Sequence, residues 1–172
     1  AVLDIAHASG IAALQSAISR ADVFVCSVSP DELTAAGLNI ERLRQSNPRL
    51  IICSITPHGS TGVRATRPGN NLTASALSGW ASINGLDDQP PLKASGLQGS
   101  YCSGTMAYGS IVSALLARSK QKPHRGQFVD VSELEVMAST FGPALLAGQY
   151  QGSPPSRKAK VDMSTGPVPV KD

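Results

Sequence analysis

Two short apolar runs, separated by two capped turns, limit what this chain can become. The first, Asp-Val-Phe-Val-Cys-Ser-Val, covers residues 22–28, and the second, Arg-Leu-Ile-Ile-Cys-Ser-Ile, covers residues 49–55. Near-continuous apolar stretches of this length are the mark of strands buried on both faces, not of a strand with one wet face. Between them, Ser29-Pro30-Asp31-Glu32 supplies a capping serine, a proline at the first helical position and a glutamate three residues after the cap. Gly37 closes that turn, and Asn39 starts another helix. It must stop near Asn47-Pro48, because a residue before proline avoids helical backbone. Strand, helical crossover and strand at this spacing form a βαβ unit, so the two strands are predicted to be parallel neighbours. Upstream, Ser9 is placed to cap a helix with Ile11, Leu14 and Ile18 on one face.

Beyond Thr56 the character changes. Residues 57–71 read as a Gly/Pro loop carrying Arg64 and Arg67, followed by a small-residue helix over 71–80 and a second loop over 84–100. A long helix is predicted over 101–119. It is apolar or small nearly all round, which implies burial on every side. After a basic turn at 120–126 come a strand over 127–132 and a helix over 133–148, with Leu134, Met137, Phe141 and Leu145 inward. Residues 149–172 carry no periodicity and read as an extended linker, in which Arg157, Lys158 and Lys160 are either a solvated run, the default, or a face toward CoA phosphates. The expected fold class is α/β, a partial Rossmann-like parallel sheet followed by a helical segment, with the domain at 1–148 and the linker at 149–172.

Composition narrows the function classes. The 172 residues suit one domain with a sizeable core. A net charge of +3, with only 16% charged residues, is too weak and scattered for a nucleic-acid partner. No apolar run approaches the ~20 residues that span a bilayer, so no membrane association is expected. Three cysteines, Cys26, Cys53 and Cys102, lack paired spacing and imply reduced thiols in a cytoplasmic protein. His7, His58 and His124 are isolated, so no metal site is expected. Starting at Ala1 without Met and ending in a Pro/Gly-rich run, the chain reads as a piece of a longer protein.

Individual residues have plain readings beside sharper ones. Cys26 and Cys53 fall at matching points of adjacent predicted strands and read as buried thiols. Cys102, at the start of the long helix, is a nucleophile candidate with no histidine near it in sequence. Gly59, Gly62 and Gly69 do not form a phosphate-cradling motif and read as loop glycines. Arg64 and Arg67, taken alone, are loop charges. A lone βαβ unit is shared by many functions.

The order of several longer blocks goes further. They are Asn47-Pro48-Arg49-Leu50-Ile51, Cys53-Ser54-Ile55-Thr56, Thr61-Gly62, Arg67-Pro68-Gly69, the approach to Gly104, and Arg125-Gly126-Gln127-Phe128-Val129-Asp130-Val131-Ser132. In this order the chain resembles the class III CoA-transferase family, of the carnitine dehydratase and bile-acid-inducible type, over nearly its whole length. The resemblance implies an internal fragment of an interlocked-dimer fold, lacking the first strands before residue 1 and a smaller domain after residue 172. It also implies transfer of CoA between an acyl-CoA and a carboxylic acid, with CoA as substrate and no metal.

The site implied by that resemblance is altered. In the family an aspartate attacks the acyl-CoA thioester to give a mixed anhydride, and CoA then returns to form an enzyme thioester. Ser100 occupies that position. A serine ester is less activated than an anhydride, and serine needs a base. Related racemases add a histidine where this chain has Asn70. The family's Asn-Phe and Arg contacts to CoA correspond to Ser27-Val28 and Ser29, whereas Arg67 matches a basic CoA contact. Two functions follow as expectations: a CoA-transferase acting as a homodimer, or a non-catalytic family domain serving as structural or dimerising partner of an active copy, in tandem or in another chain.

Overall fold

A computed structural model describes residues 2–86, 88–152 and 157. In chain order the elements are α1 (Ala8–Ile18), β1 (Val23–Cys26), α2 (Pro30–Ala35), α3 (Ile40–Ser46), β2 (Ile51–Thr56), α4 (Asn71–Leu77), a 3-10 turn (Trp80–Ile83), α5 (Gln98–Lys120), β3 (Phe128–Ser132), α6 (Glu133–Thr140) and α7 (Gly142–Gln151). The strands form one parallel sheet in the order β1-β2-β3. The predicted βαβ unit is therefore present, and β3 extends it.

Local chemistry sets the crossover between β1 and β2. Ser29 Oγ accepts from Glu32 N at 3.2 Å, and Ser29 N donates to the Glu32 carboxylate at 2.8 Å, a reciprocal pair that starts α2. Asn39 caps α3 by accepting from Arg42 N. Gly37 turns the chain between these helices with φ +84°, where a side chain is disfavoured. Helix α1 begins one residue before the predicted cap. His7 is its N-cap and Ser9 lies in the first turn, while Asp4 organises the entry by accepting from Ala6 N and His7 Nδ1.

The sheet is covered on both faces. On one face, Ile18, Leu33, Leu38 and Leu43 pack over Leu50 and Ile52. On the other, Ala107 and Val136 pack over Cys53 and Val131. Alternate strand residues point to opposite faces, so this division follows from period two. The same rule corrects the cysteine expectation. Cys26 pairs with Ser54, and Cys53 pairs with Val25, so the thiols are one register step apart and on opposite faces. All three cysteines are free.

Two helix expectations also change. Helix α5 is buried along only one stripe, through Gly99, Ser103, Ala107, Ala114 and Arg118. Tyr101, Tyr108, Val112 and Leu116 on its other side are exposed among the described residues. An all-round apolar pattern reports that a helix is to be covered, not what covers it. The predicted helix over 133–148 is two helices, broken at Phe141. Pro143 near the start of α7 has no N–H for the preceding turn, which favours a break there. The linker assigned to 149–172 lies outside the described residues, apart from residues 149–152 and 157; α7 itself runs on to Gln151.

At the amino-terminal edge of the sheet, Arg118 fastens α5 to the strands. Its guanidinium donates to Arg49 O and to the Asp22 carboxylate, each at 2.6 Å. The Arg125–Ser132 block lies beside it. A Cβ at Gly126 would overlap the Leu50 carbonyl, and Gly126 N donates to Pro48 O at 2.8 Å. Asp130 accepts from Ser60 N and Ser60 Oγ, at 2.9 and 2.6 Å, which holds the loop after β2 against β3.

Candidate functional site

The carboxyl ends of the strands, the usual ligand side of a parallel sheet, gather the residues singled out above. Beyond β1 and β2 lies a cleft of about 470 Å³, lined by Ser27, Ser29, Asp31, Thr56, Arg67 and Gly69 among others. The structure thus brings together Arg67, Ser27 and Ser29 in one cleft. Arg67 is exposed, and its backbone N–H donates to Arg64 O. The cleft is not uniformly basic, because Asp31 and Glu32 also line it. Glu32 is held below the ordinary carboxylate range by the backbone and hydroxyl hydrogen bonds from Ser29.

Gly69 leads from this cleft into α4. Asn70 is the N-cap of that helix: its Oδ1 accepts from Leu72 N at 2.9 Å and Thr73 N at 3.1 Å. In return, Thr73 Oγ1 accepts from Asn70 N at 2.8 Å. The Asn70 side-chain oxygen is therefore committed to the helix terminus.

It is the neighbour, Asn71, that reaches Ser100. Asn71 Nδ2 donates to Ser100 Oγ at 2.8 Å, and Ser100 N donates to Asn71 Oδ1 at 3.4 Å. Ser100 is the third residue of α5, not the end of a loop, because the helix starts at Gln98. The N-cap of α5, Leu97, offers no side-chain acceptor, so Asn71 fills that role from another helix. Ser100 is exposed. Among the described residues, no histidine or carboxylate bonds its hydroxyl, so nothing there draws off its proton.

The signal for Asn71 was its position beside Asn70, but its partner is 29 residues away, beyond local patterning. Cys102, in contrast, lies in the second turn of α5 and is partly buried against Cys53, Val131 and their neighbours. Burial pushes the Cys26 and Cys53 thiols above their ordinary values, so both stay protonated near neutrality.

A second, apolar groove of about 1020 Å³ runs along α5 and β3, from Tyr101 and Cys102 past Met106 to Phe128. Among the described residues, no helix is long and apolar enough to cross a membrane, and no cluster of three or more metal-binding side chains occurs.

Comparison with known proteins places this architecture. Residues 1–170 match the family model of CoA-transferase family III. The chain belongs to that family. It is 38% identical over 136 residues to the succinyl-CoA:(R)-benzylsuccinate CoA-transferase subunit BbsE of Thauera aromatica, covering 79% of this chain and 33% of that protein. It is 30% identical over 169 residues to the succinate–glutarate CoA-transferase of Agrobacterium fabrum, covering 98% of this chain and 42% of that one. The crystal structure of a CAIB/BAIF family protein from Brucella suis superposes with a TM-score of 0.85 at 27% identity, over 91% of this chain and 41% of that one. The family III chain described here thus spans a third to two-fifths of the length of these relatives.

Proposed function

We propose that the protein to which this chain belongs transfers CoA between an acyl-CoA and a carboxylic acid, and that the Ser100 site itself does not carry the acyl group. The first half rests on the family match over residues 1–170. Relatives named for succinyl-CoA, glutarate and benzylsuccinate favour a carboxylic acid acceptor. The CoA would approach through the cleft at Arg67, whose guanidinium suits phosphate. The second half rests on one observation: the Ser100 hydroxyl accepts from an amide and, among the described residues, bonds no base. A hydroxyl in that state is a poor nucleophile at neutral pH.

A second reading is that the domain partners an active copy, as dimer mate or tandem domain. Two features favour it: the serine at the position of the family carboxylate, and the naming of several relatives as subunits. The test takes full-length protein, incubates it with succinyl-CoA, and digests it for mass spectrometry. The peptide containing Ser100 is expected unmodified, and Ser100→Ala is expected to leave that result unchanged. CoA exchange onto dicarboxylic acids is then assayed with the protein alone and with any copurifying family member. Exchange only in the presence of the second chain selects the partner reading. Acylated Ser100 in the wild type would overturn the inert-serine half and make the protein a serine-dependent member of the family.

A further inference from the structure

Where the Ser100 proton points decides what that hydroxyl can do once it is not a nucleophile. The Asn71 amide turns two atoms toward Ser100. Ser100 N can only donate, so the amide atom facing it, at 3.4 Å, is the carbonyl Oδ1. That orientation turns Nδ2 toward Ser100 Oγ at 2.8 Å. An amide nitrogen donates and does not accept, so Ser100 Oγ accepts there, and its own proton is directed away from Asn71.

Helical hydroxyls commonly return their proton to a carbonyl three or four residues back. Three others on α5 do so: Thr105 to Tyr101 O at 3.0 Å, Ser113 to Gly109 O at 2.8 Å and Ser119 to Leu116 O at 2.7 Å. For Ser100 those carbonyls belong to Leu97 and Gly96, which precede the helix, and Gly96 has φ +66°. Gly96 O instead takes the Lys93 ammonium at 2.5 Å. Among the described residues Ser100 Oγ donates to nothing, and Ser100 is exposed. Lys93 adds an independent cue. It is half-buried, it donates to the Ala94 and Gly96 carbonyls, and no carboxylate among the described residues pairs with it. Its charge, left uncompensated beside the turn leading into Ser100, favours a negative oxygen there.

The geometry points to Ser100 as a hydrogen-bond donor to the acyl half of the substrate, with Asn71 as the positioning residue that holds its proton outward. The ligand atom is an oxygen, of a carboxylate or of a thioester carbonyl. Donation from Asn71 Nδ2 into Ser100 Oγ polarises the O–H and makes it the stronger donor. A carboxylate at this position would repel a substrate carboxylate, whereas a neutral hydroxyl beside a lysine does not. Asn71 lies two residues beyond Gly69, which lines the Arg67 cleft, so the pair stands on the same side of the sheet as the proposed CoA approach.

The inference rests on the proposed function for its ligand, and the test separates the two. Binding of CoA, succinyl-CoA and succinate to the full-length protein is measured by calorimetry. Ser100→Ala is expected to weaken succinyl-CoA by about threefold or more while CoA stays within about twofold. Ser100→Thr, which keeps the hydroxyl, should recover the affinity. Loss of succinate affinity as well assigns the contact to a carboxylate; loss for succinyl-CoA alone assigns it to the thioester carbonyl. Asn71→Asp presents only acceptors, so it turns the hydroxyl inward. It should weaken succinyl-CoA as Ser100→Ala does, and adding Ser100→Ala to it should cost nothing more, whereas a merely structural Asn71 would make the two losses add. Ser100→Ala binding all three ligands as the wild type does, or losing CoA equally, would overturn the donor. CoA failing to bind the wild type counts against the proposed function, and the succinate arm then decides Ser100 by itself. Binding in neither acyl arm overturns the donor as well.

Discussion

Asn71 and Ser100 exchange hydrogen bonds in both directions, amide N–H to hydroxyl at 2.8 Å and backbone N–H to amide oxygen at 3.4 Å. Each is the first or third residue of its own helix, so the exchange brings the amino termini of α4 and α5 together. A helix amino terminus has free N–H groups and partial positive charge. Here Asn70 Oδ1 takes up Leu72 N and Thr73 N, and Asn71 Oδ1 takes up Ser100 N, so these terminal groups are partnered within the protein.

If this exchange joins the two helices, Asn71→Ala should destabilise the full-length protein by about 1 kcal/mol, the usual scale for a neutral hydrogen bond. Ser100→Ala should cost less, because it leaves the backbone bond in place. Chemical denaturation of both single variants and the double variant should give a coupling energy of about 0.5 kcal/mol or more. Strict additivity would mean that the exchange carries no stability.

Asn70 is predicted to be a cap and nothing more. Asn70→Ala should destabilise by about 1 kcal/mol, whereas Asn70→Asp, which keeps the acceptor, should be close to neutral. Any transferase activity of the full-length protein should survive Asn70→Asp. Loss of turnover in a variant of wild-type stability would return Asn70 to the chemistry.

These residues illustrate what was legible beforehand. The caps at Ser29 and Asn39 could be read because cap and partner lie within three residues of each other. The parallel pairing of β1 and β2 followed from crossover length and apolar content. The Arg125–Ser132 block stood out only as a family pattern. Its physical reasons, Gly126 against the Leu50 carbonyl and Asp130 gripping Ser60, join segments far apart in the chain. For the same reason the family's histidine position falls on Asn70 while Asn71 makes the contact with Ser100. The burial of His58 and Glu133 was not legible, because nothing local marks a histidine or glutamate for burial. Helix α5 was misjudged because its sequence records the need for cover on its outer side, where the described residues supply none.

Arg118 makes a prediction about how the two ends of the fold are held. The Asp22 side chain is 72% exposed, so the ion pair by itself adds little. The bond to Arg49 O and the burial of the Arg118 stem should dominate. Arg118→Ala is expected to destabilise by about 2 kcal/mol, and Arg118→Lys to recover less than half, because lysine lacks the fork that reaches two acceptors. Equal stability of the lysine variant and the wild type in urea would remove the guanidinium geometry from the account.

Arg67 is the test of the cleft. If its guanidinium meets a CoA phosphate, Arg67→Ala in the full-length protein should weaken CoA binding by about 1–3 kcal/mol. The effect should shrink with added salt, because Arg67 is exposed and screened. Calorimetry giving the same affinity for wild type and variant would leave Arg67 a loop charge.

Glu133 should leave a signature in the pH dependence of stability. Its carboxyl is pushed up from 4.5 by burial, so between 4.5 and its folded value the native state binds more protons than the unfolded chain. Its contribution is therefore fully present below 4.5 and is lost as pH rises through the folded value. Glu32 has the opposite sign. Hydrogen bonds from Ser29 hold it below 4.5, so its contribution is present above 4.5 and is lost as pH falls through the lowered value. The two windows do not overlap, which makes them separable in one experiment. Glu133→Gln, neutral throughout, should flatten the decline in stability above 4.5 and leave the acid limb unchanged. Glu32→Gln should reduce the acid limb and leave the decline in place. Denaturant midpoints of the full-length protein and both variants, taken from pH 3 to 8, give the comparison. A Glu133→Gln profile parallel to the wild type above 4.5 would mean that this carboxyl is not buried in solution.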